Sequence, residues 1–121
     1  MAGTRLSIRI DLENGDRIGP GKVALLEAIR ASGSISAAAR ALGMSYRRAW
    51  LLVEEINQAL RQPAVAAGTG GRRGGGAAVT PAGEQLVGLY RTIESHARTA
   101  ASNEFRAIGR LVRPEAGRAK A

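Results

Sequence analysis

The chain has 121 residues, a size that fits one domain. Its formal net charge of +8 favours a polyanionic partner, nucleic acid before an anionic membrane surface, although an arginine-rich surface alone would carry the same charge. The absence of cysteine excludes disulfides, thiolate metal sites and a cysteine nucleophile. No apolar run is long enough for a signal peptide or a membrane span, so we expect a cytoplasmic protein without a membrane partner.

An alternating pattern near the start predicts a half-buried strand. Apolar and polar residues alternate from Leu6 to Leu12, which is the period of two that a strand requires. Asn14-Gly15 follows, and this dipeptide is a strong signal for a tight hairpin turn. Residues 16–18 are therefore expected to fold back as a short second strand.

Three helices are predicted next. The first covers residues 22–31, and the second lies between Ser36, its expected N-cap, and Gly43, which ends it. The third begins after Ser45, a second N-cap, and runs to about Leu60. Apolar residues at helical spacing predict the buried face of this third helix, which consists of Ala49, Leu52, Val53, Ile56 and Leu60.

A long helix is predicted over residues 81–112. Thr80-Pro81 matches an N-cap followed by proline at the first helical position. An apolar seam at roughly heptad spacing consists of Leu86, Tyr90, Ile93, Ala97 and Ala100. Residues 1–113 are expected to form one α+β, mostly helical domain, and residues 114–121 a disordered tail.

The second and third predicted helices, joined by a turn at Gly43-Met44, fit a helix-turn-helix. An ordinary αα-hairpin is the alternative. The start of the third helix favours the first interpretation, because recognition helices present their N-terminal residues to base edges. The residues expected to face DNA are Ser34, Ser36, Ser45, Tyr46, Arg47, Arg48, Trp50 and Leu51.

Within this set, individual roles differ. Arg47 is the best candidate for a base-edge contact, and Arg48 for a contact with phosphate or base. The hydroxyl of Tyr46 can reach a phosphate. Trp50 lies at the margin of the predicted buried face, so it is either the edge of the core or a DNA contact.

A glycine-rich stretch containing Arg72 and Arg73 separates two short β-compatible pieces, residues 64–67 and 77–79. We interpret these pieces as a hairpin with a long tip. The stretch contains no lysine and its glycine spacing fails the nucleotide-binding patterns. A disordered linker is the alternative, but two adjacent arginines among glycines favour a wing that lays them along the DNA backbone or in the minor groove.

Catalytic chemistry has little support in this sequence. His96 is the single histidine and is interpreted as a helix surface residue. One histidine and no cysteine do not assemble a hydrolytic triad or a metal cluster, and the carboxylates show no paired-acid spacing. We therefore expect no enzymatic activity and no bound metal.

Three segments resemble the amino-terminal domain of the ModE family of molybdate-responsive transcription regulators. They are GSISAAA at residues 33–39, GMSYRRAW at 43–50, and the glycine-rich stretch leading into TPAG at 70–83. The resemblance extends over about residues 19–90. It implies a winged helix-turn-helix related to LysR-type DNA-binding domains. It also implies a homodimer formed largely through the long terminal helix, whose apolar seam is then the expected dimer contact, helped by the amino-terminal strand.

The resemblance also implies a function and a departure from the family. It implies a nucleoid-associated transcriptional regulator that binds double-stranded DNA at a pseudo-palindromic operator, in molybdenum-related or similar gene control. Family members carry molybdate-binding domains after this module, and the segment from Val112 to Ala121 contains no match to them. No cofactor is therefore expected. The chain is expected to be either a stand-alone short regulator or a truncation, and a protein partner is the candidate source of its signal.

A protein-interaction module is the alternative function. A winged helix can keep its fold and bind a partner protein instead of DNA. The long apolar terminal helix and the missing effector domain are the features that favour this interpretation.

Overall fold

The structure, a computed structural model, describes residues 4–68 and 76–114. Within these ranges the chain is α+β and mostly helical, as predicted. Its elements, in chain order, are β1 (Ile10–Asp11), β2 (Arg17–Ile18), α1 (Pro20–Ser32), α2 (Ile35–Ala41), α3 (Tyr46–Ala59), β3 (Val65–Gly68), β4 (Gly76–Val79), α4 (Pro81–Ala100) and α5 (Ser102–Leu111).

β1 and β2 form the predicted amino-terminal hairpin. They are antiparallel, with Ile10 opposite Ile18, and Gly15 has a φ of +93° in the turn between them. Side chains alternate between half-buried and exposed from Leu6 to Leu12, as predicted. The expected long strand is nevertheless wrong for residues 6–9, because β2 offers only two residues for pairing.

α1 forms the centre of the molecule. It begins with Pro20 at its first position and ends at Gly33, whose φ of +78° is the left-handed conformation that favours glycine. α2, α3, α4 and β4 all pack against it. The buried hydrophobic core consists of Ile18, Val23, Leu25, Leu26, Ile29, Ala38, Ala39, Ala49, Val53, Ile56, Ala64, Val65, Ala77, Val87 and Tyr90.

β3 and β4 form the second predicted hairpin, with Val65 opposite Val79 and Gly68 opposite Gly76. α4 packs closely on the base of this hairpin at Gly83. A Cβ atom at that position would lie 2.5 Å from the carbonyl oxygen of Ala64. The glycine is thus required by the close approach of helix and strand.

The predicted long helix over residues 81–112 is two helices, α4 and α5, which meet at Ala101. The Ala101 N–H donates to Ala97 O, and the Phe105 N–H donates to Ala101 O, so the hydrogen bonds of α4 end, and those of α5 begin, at this one residue. Ser102 and Asn103 follow it, and such residues offer the backbone competing hydrogen bonds. A single residue, Ala101, therefore separates the two helices. No helix in the described ranges is long and apolar enough to cross a membrane.

Candidate nucleic-acid interface

α2, a tight turn and α3 form the predicted helix-turn-helix. Ser45 accepts a hydrogen bond from the Arg48 N–H at 3.1 Å and so caps the N-terminus of α3. Gly43 has a φ of +69°, which allows the sharp turn between the helices. Ala38 and Ala39 are buried, and their small side chains let α1, α2 and α3 pack closely.

The predicted N-cap of α2 is wrong by two residues. Ser34, not Ser36, is the N-cap, and its hydroxyl accepts a hydrogen bond from the Ala37 N–H at 2.9 Å. Both serines are plausible caps in sequence, but only Ser34 has extended backbone, while Ser36 is helical and exposed. Ser34 therefore has a structural role that is independent of any ligand.

α3 has a buried and an exposed face. Ala49, Val53 and Ile56 are buried, and Leu52 and Leu60 are half-buried, as predicted for the inward face. Positions three and four apart lie on one side of a helix, so four residues of the first two turns share the outward face. These four, all exposed, are Tyr46, Arg47, Trp50 and Leu51.

Trp50 lies on the surface of this protomer and not in its core. Its exposed fraction is 44%, close to the 43% of Leu51 one position later. Exposed large apolar side chains that form a patch with arginines usually mark a contact surface. The arginines, Arg47 and Arg48, are exposed and form no ion pair with any carboxylate in the described ranges.

Asn57 joins α3 to the base of the β3–β4 hairpin, a role that the sequence analysis missed. Its side-chain oxygen accepts hydrogen bonds from the N–H groups of Ala64 and Val65, at 2.8 and 3.1 Å. Its amide nitrogen donates to Val65 O at 3.2 Å. The available signal in the sequence was a polar residue beside the buried face of a helix. It did not identify the partners of Asn57, because these lie seven and eight residues further along the chain.

Further hydrogen bonds hold the same hairpin against α1 and α4. The Ala77 N–H donates to Gly33 O at 2.9 Å, and the Thr80 hydroxyl donates to Pro63 O at 2.6 Å. Thr80 also caps α4, as predicted, by accepting from the Gly83 N–H. The hairpin therefore has a fixed position beside α3. Its tip, with Arg72 and Arg73, lies outside the described residues.

The predicted dimer seam on α4 needs one correction. Tyr90 is 1% exposed, and its hydroxyl donates to Ile8 O at 2.6 Å. It therefore anchors the amino-terminal segment in the protomer's own core and is not available to a partner. Leu89, which the sequence analysis did not select, is exposed. The residues of the corrected seam, exposed or half-buried, are Leu86, Leu89, Ile93, Ala97 and Ala100.

An ionic cluster connects α4 to α1. Arg91 donates to both carboxylate oxygens of Glu27, at 2.6 and 3.0 Å, and to Glu94 at 2.7 Å. The Arg91 hydrogen bonds hold the pKa of Glu27 below its ordinary value of 4.5, against the opposing effect of burial. The same bonds raise the pKa of Arg91. Burial, helped by the charge of Glu94, raises the pKa of Tyr90.

The described residues contain no group of side chains that resembles a metal site. Among the described residues, no three histidine, cysteine, aspartate or glutamate side chains come together as metal ligands do. His96 is exposed on α4.

Comparison with known proteins places these elements in a family. The sequence profile described as "Bacterial regulatory helix-turn-helix protein, lysR family" matches residues 21–84, which include the helix-turn-helix and the β3–β4 hairpin. The chain is 53% identical over 81 residues to molybdenum-pterin-binding protein MopB of Rhodobacter capsulatus, covering 67% of this chain and 30% of that protein.

Two further relatives are regulators or transport proteins by name. Identity is 35% over 102 residues to molybdenum transport protein ModE of Azotobacter vinelandii, which covers 83% of this chain and 38% of the relative. Identity is 44% over 71 residues to DNA-binding transcriptional dual regulator ModE of Escherichia coli strain K12, and this match covers 59% of this chain and 27% of that protein.

The chain spans about a third of the length of the curated relatives it matches. The match to the family profile extends over more than half of this chain; it begins in α1 and ends in the first turn of α4, so it includes the whole helix-turn-helix and the hairpin that follows it. This protein therefore belongs to the lysR family of bacterial regulatory helix-turn-helix proteins.

Proposed function

We propose that this protein is a DNA-binding transcriptional regulator, with α3 as its recognition helix. The observation that carries the proposal is the outward face at the start of α3. There Arg47 and Arg48 are exposed and without carboxylate partners in the described ranges, on a helix whose other face is anchored in the core. A helix presented in this way fits the major groove, where an arginine can bind guanine in a bidentate manner.

The β3–β4 hairpin serves as the wing in this proposal. Asn57 holds its base to the recognition helix, so a helix inserted in the groove would bring the hairpin to the adjacent backbone. Arg72 and Arg73 are assigned to phosphate or the minor groove. The name of the Escherichia coli relative, a DNA-binding transcriptional regulator, supports this assignment of function.

A homodimer is the second part of the proposal. Consecutive residues of a helix are about 100° apart, so the five seam residues of α4 lie within an arc of about 80°. This narrow apolar stripe is suited to a second copy of the chain, and α5 carries two further exposed apolar residues, Ile108 and Leu111. A two-fold dimer places two recognition helices on a pseudo-palindromic operator.

Salt-dependent binding to promoter fragments tests the DNA-reading role. Arg47→Ala should lower discrimination between operator and unrelated duplex, by about 1–3 kcal/mol for a bidentate contact. Arg72→Ala/Arg73→Ala should weaken binding to all sequences and reduce the salt dependence. Arg61→Ala is the matched control, since Arg61 is exposed beyond the opposite end of α3.

The results separate the two candidate functions. DNA binding that is undetectable or independent of salt would contradict the proposal and favour a protein-interaction module. Unchanged discrimination by the Arg47 variant would show instead that another residue reads the bases.

Control of molybdenum-related genes is proposed from the names of the relatives, which are molybdenum-pterin-binding and molybdenum transport proteins. Calorimetry with molybdate, tungstate and sulfate tests whether this chain itself senses an oxyanion. We expect no binding, because the chain offers no match to the oxyanion-binding motif of the family. Tight binding of molybdate by these 121 residues would overturn that expectation.

A further inference from the structure

A shallow basic cleft lies between the first turns of α3 and the amino-terminal hairpin. The amino-terminal hairpin forms one wall with Arg9 and Arg17, and α3 forms the other with Arg48 and Leu52. The start of α1 closes the cleft between them and carries no acidic residue in its first turn. Three arginines from two distant parts of the sequence thus share one surface.

Lys22 lines this cleft, but its ammonium group already has partners within the chain. Its ammonium group donates to Arg17 O at 2.8 Å and pairs with Glu55 at 3.2 Å. Only 12% of its side chain is exposed. The lysine therefore holds the backbone of β2 to α1 and α3, and this fixes the point from which the Arg17 side chain extends.

The three arginines differ in how far their charge is already compensated. Arg9 pairs with Asp11, with 3.1 Å between guanidinium and carboxylate. Arg17 and Arg48 are exposed, and no carboxylate in the described ranges lies within ion-pair distance of either. Two of the arginines that line the cleft, Arg17 and Arg48, therefore have guanidinium groups without a carboxylate partner in the described ranges.

We propose that Arg17 and Arg48 together bind the sugar-phosphate backbone that flanks the recognition helix, so that the amino-terminal hairpin is part of the DNA interface. This inference rests on the proposed DNA-binding function and extends it to an element outside the helix-turn-helix. Guanidinium groups match phosphate oxygens in bidentate geometry. The cleft is continuous with the exposed start of α3 through Arg48, so a duplex bound there brings its flanking phosphates to Arg17.

Because a phosphate contact carries no sequence information, the inference can be tested without knowing the operator. The probe is a double-stranded DNA of unrelated sequence, titrated at several salt concentrations. Each phosphate contact contributes about 0.9 to the slope of log K against log salt. Arg17→Ala should reduce the slope by about one and weaken binding at low salt, whereas Arg17→Lys should keep most of the slope.

Arg61→Ala is the control for loss of one positive charge, and its slope should remain that of the wild type. Arg17→Ala with an unchanged slope would overturn the inference while leaving the proposed function intact. If the wild type itself binds no duplex, both the inference and the proposed function fail. Far-UV circular dichroism confirms that each variant is folded before the titration.

A second variant tests the same cleft by gain of binding. Asp11 lies directly opposite Arg17 in the β1–β2 ladder and neutralises Arg9. Asp11→Asn removes this negative charge and releases Arg9, so the affinity for unrelated duplex at low salt should rise several-fold. Binding that is unchanged or weaker, in a folded variant, would contradict a phosphate contact at the hairpin.

Discussion

At the scale of single residues, Asn57 fixes the base of the β3–β4 hairpin to α3. Its amide group satisfies three backbone groups at the base of the hairpin, all partly buried. Backbone groups that lose such partners away from water cost free energy, because water does not fully replace the hydrogen bonds. Asn57 therefore contributes to stability and to the geometry of the proposed interface at the same time.

Asn57→Ala should lower the free energy of unfolding by about 1–3 kcal/mol, since two N–H groups and one carbonyl lose their partner. Urea denaturation measures this change. Gln58→Ala is the matched control, because Gln58 is the exposed neighbour on α3, and its effect should stay within about 0.5 kcal/mol. Equal effects of the two substitutions would contradict the role assigned to Asn57.

The Glu27–Arg91 pair predicts how stability depends on pH. The pKa of Glu27 is lower in the folded protein than its ordinary value of 4.5, so folding favours the ionised carboxylate. This contribution is complete above the ordinary pKa and is lost as the pH falls from 4.5 through the lower folded pKa. Because the Arg91 side chain is 41% exposed, solvent screening keeps the contribution small.

Glu27→Gln should therefore make the free energy of unfolding less dependent on pH below 4.5. Thermal unfolding of wild type and variant across that range measures the difference. Arg91→Gln should flatten the same part of the profile, because it removes the other partner of the pair. A pH dependence that survives both substitutions would show that other carboxylates cause it.

At the scale of elements, two glycines of α4 show how one residue type has opposite roles within a single helix. Gly83 faces the wing base, where an added Cβ would lie 2.5 Å from Ala64 O and 2.7 Å from a methyl carbon of Val79. Gly88 has no neighbouring atom within 4 Å of the same position. Helix propensity alone favours alanine over glycine equally at both positions. The effect of a substitution therefore depends on how closely each position is packed.

Gly83→Ala should destabilise the protein by about 1–3 kcal/mol, since strand or helix must move to admit the methyl group. Gly88→Ala should stabilise it by up to about 1 kcal/mol, because alanine is the better helix former in open space. Denaturant titration of both variants gives the comparison. The same sign for both would contradict the described contact between α4 and the wing base.

At the scale of the whole molecule, α4 carries two stripes of residues, one that faces the core and one, apolar, that faces outward. Gly83, Val87, Tyr90 and Glu94 are buried in the protomer, whereas Leu89 is 57% exposed. An apolar stripe that remains exposed beside a complete core is typical of an interface between subunits. The proposed homodimer accounts for this stripe.

Leu89→Glu/Ile93→Glu should convert the dimer to a monomer and weaken operator binding, because two carboxylates from each copy would be buried against apolar side chains. Sedimentation velocity measures the oligomeric state. Ser95→Glu is the control, since Ser95 lies about 160° from the centre of the stripe on the helical wheel. A wild-type protein that sediments as a monomer at micromolar concentration would contradict the dimer.

The sequence by itself determined the local features of this protein. Serine and threonine caps at Ser45 and Thr80, the turn glycines and the 3.6-residue period of α3 all act between residues a few positions apart. Such signals predicted the order of elements as far as α4, the buried face of α3 and the helix-turn-helix. They also brought Arg47 and Arg48 to attention as exposed residues at a helix start.

Only the tertiary structure decided which side of α4 faces inward. It also decided which separate elements Lys22 and Asn57 hold together. Tyr90 is buried and Leu89 exposed because the amino-terminal segment, 82 residues before Tyr90, supplies the carbonyl that binds its hydroxyl. Heptad spacing predicts a seam but does not say against which surface it packs. Contacts between residues far apart in the chain depend on how all elements are arranged, and no local pattern records that arrangement.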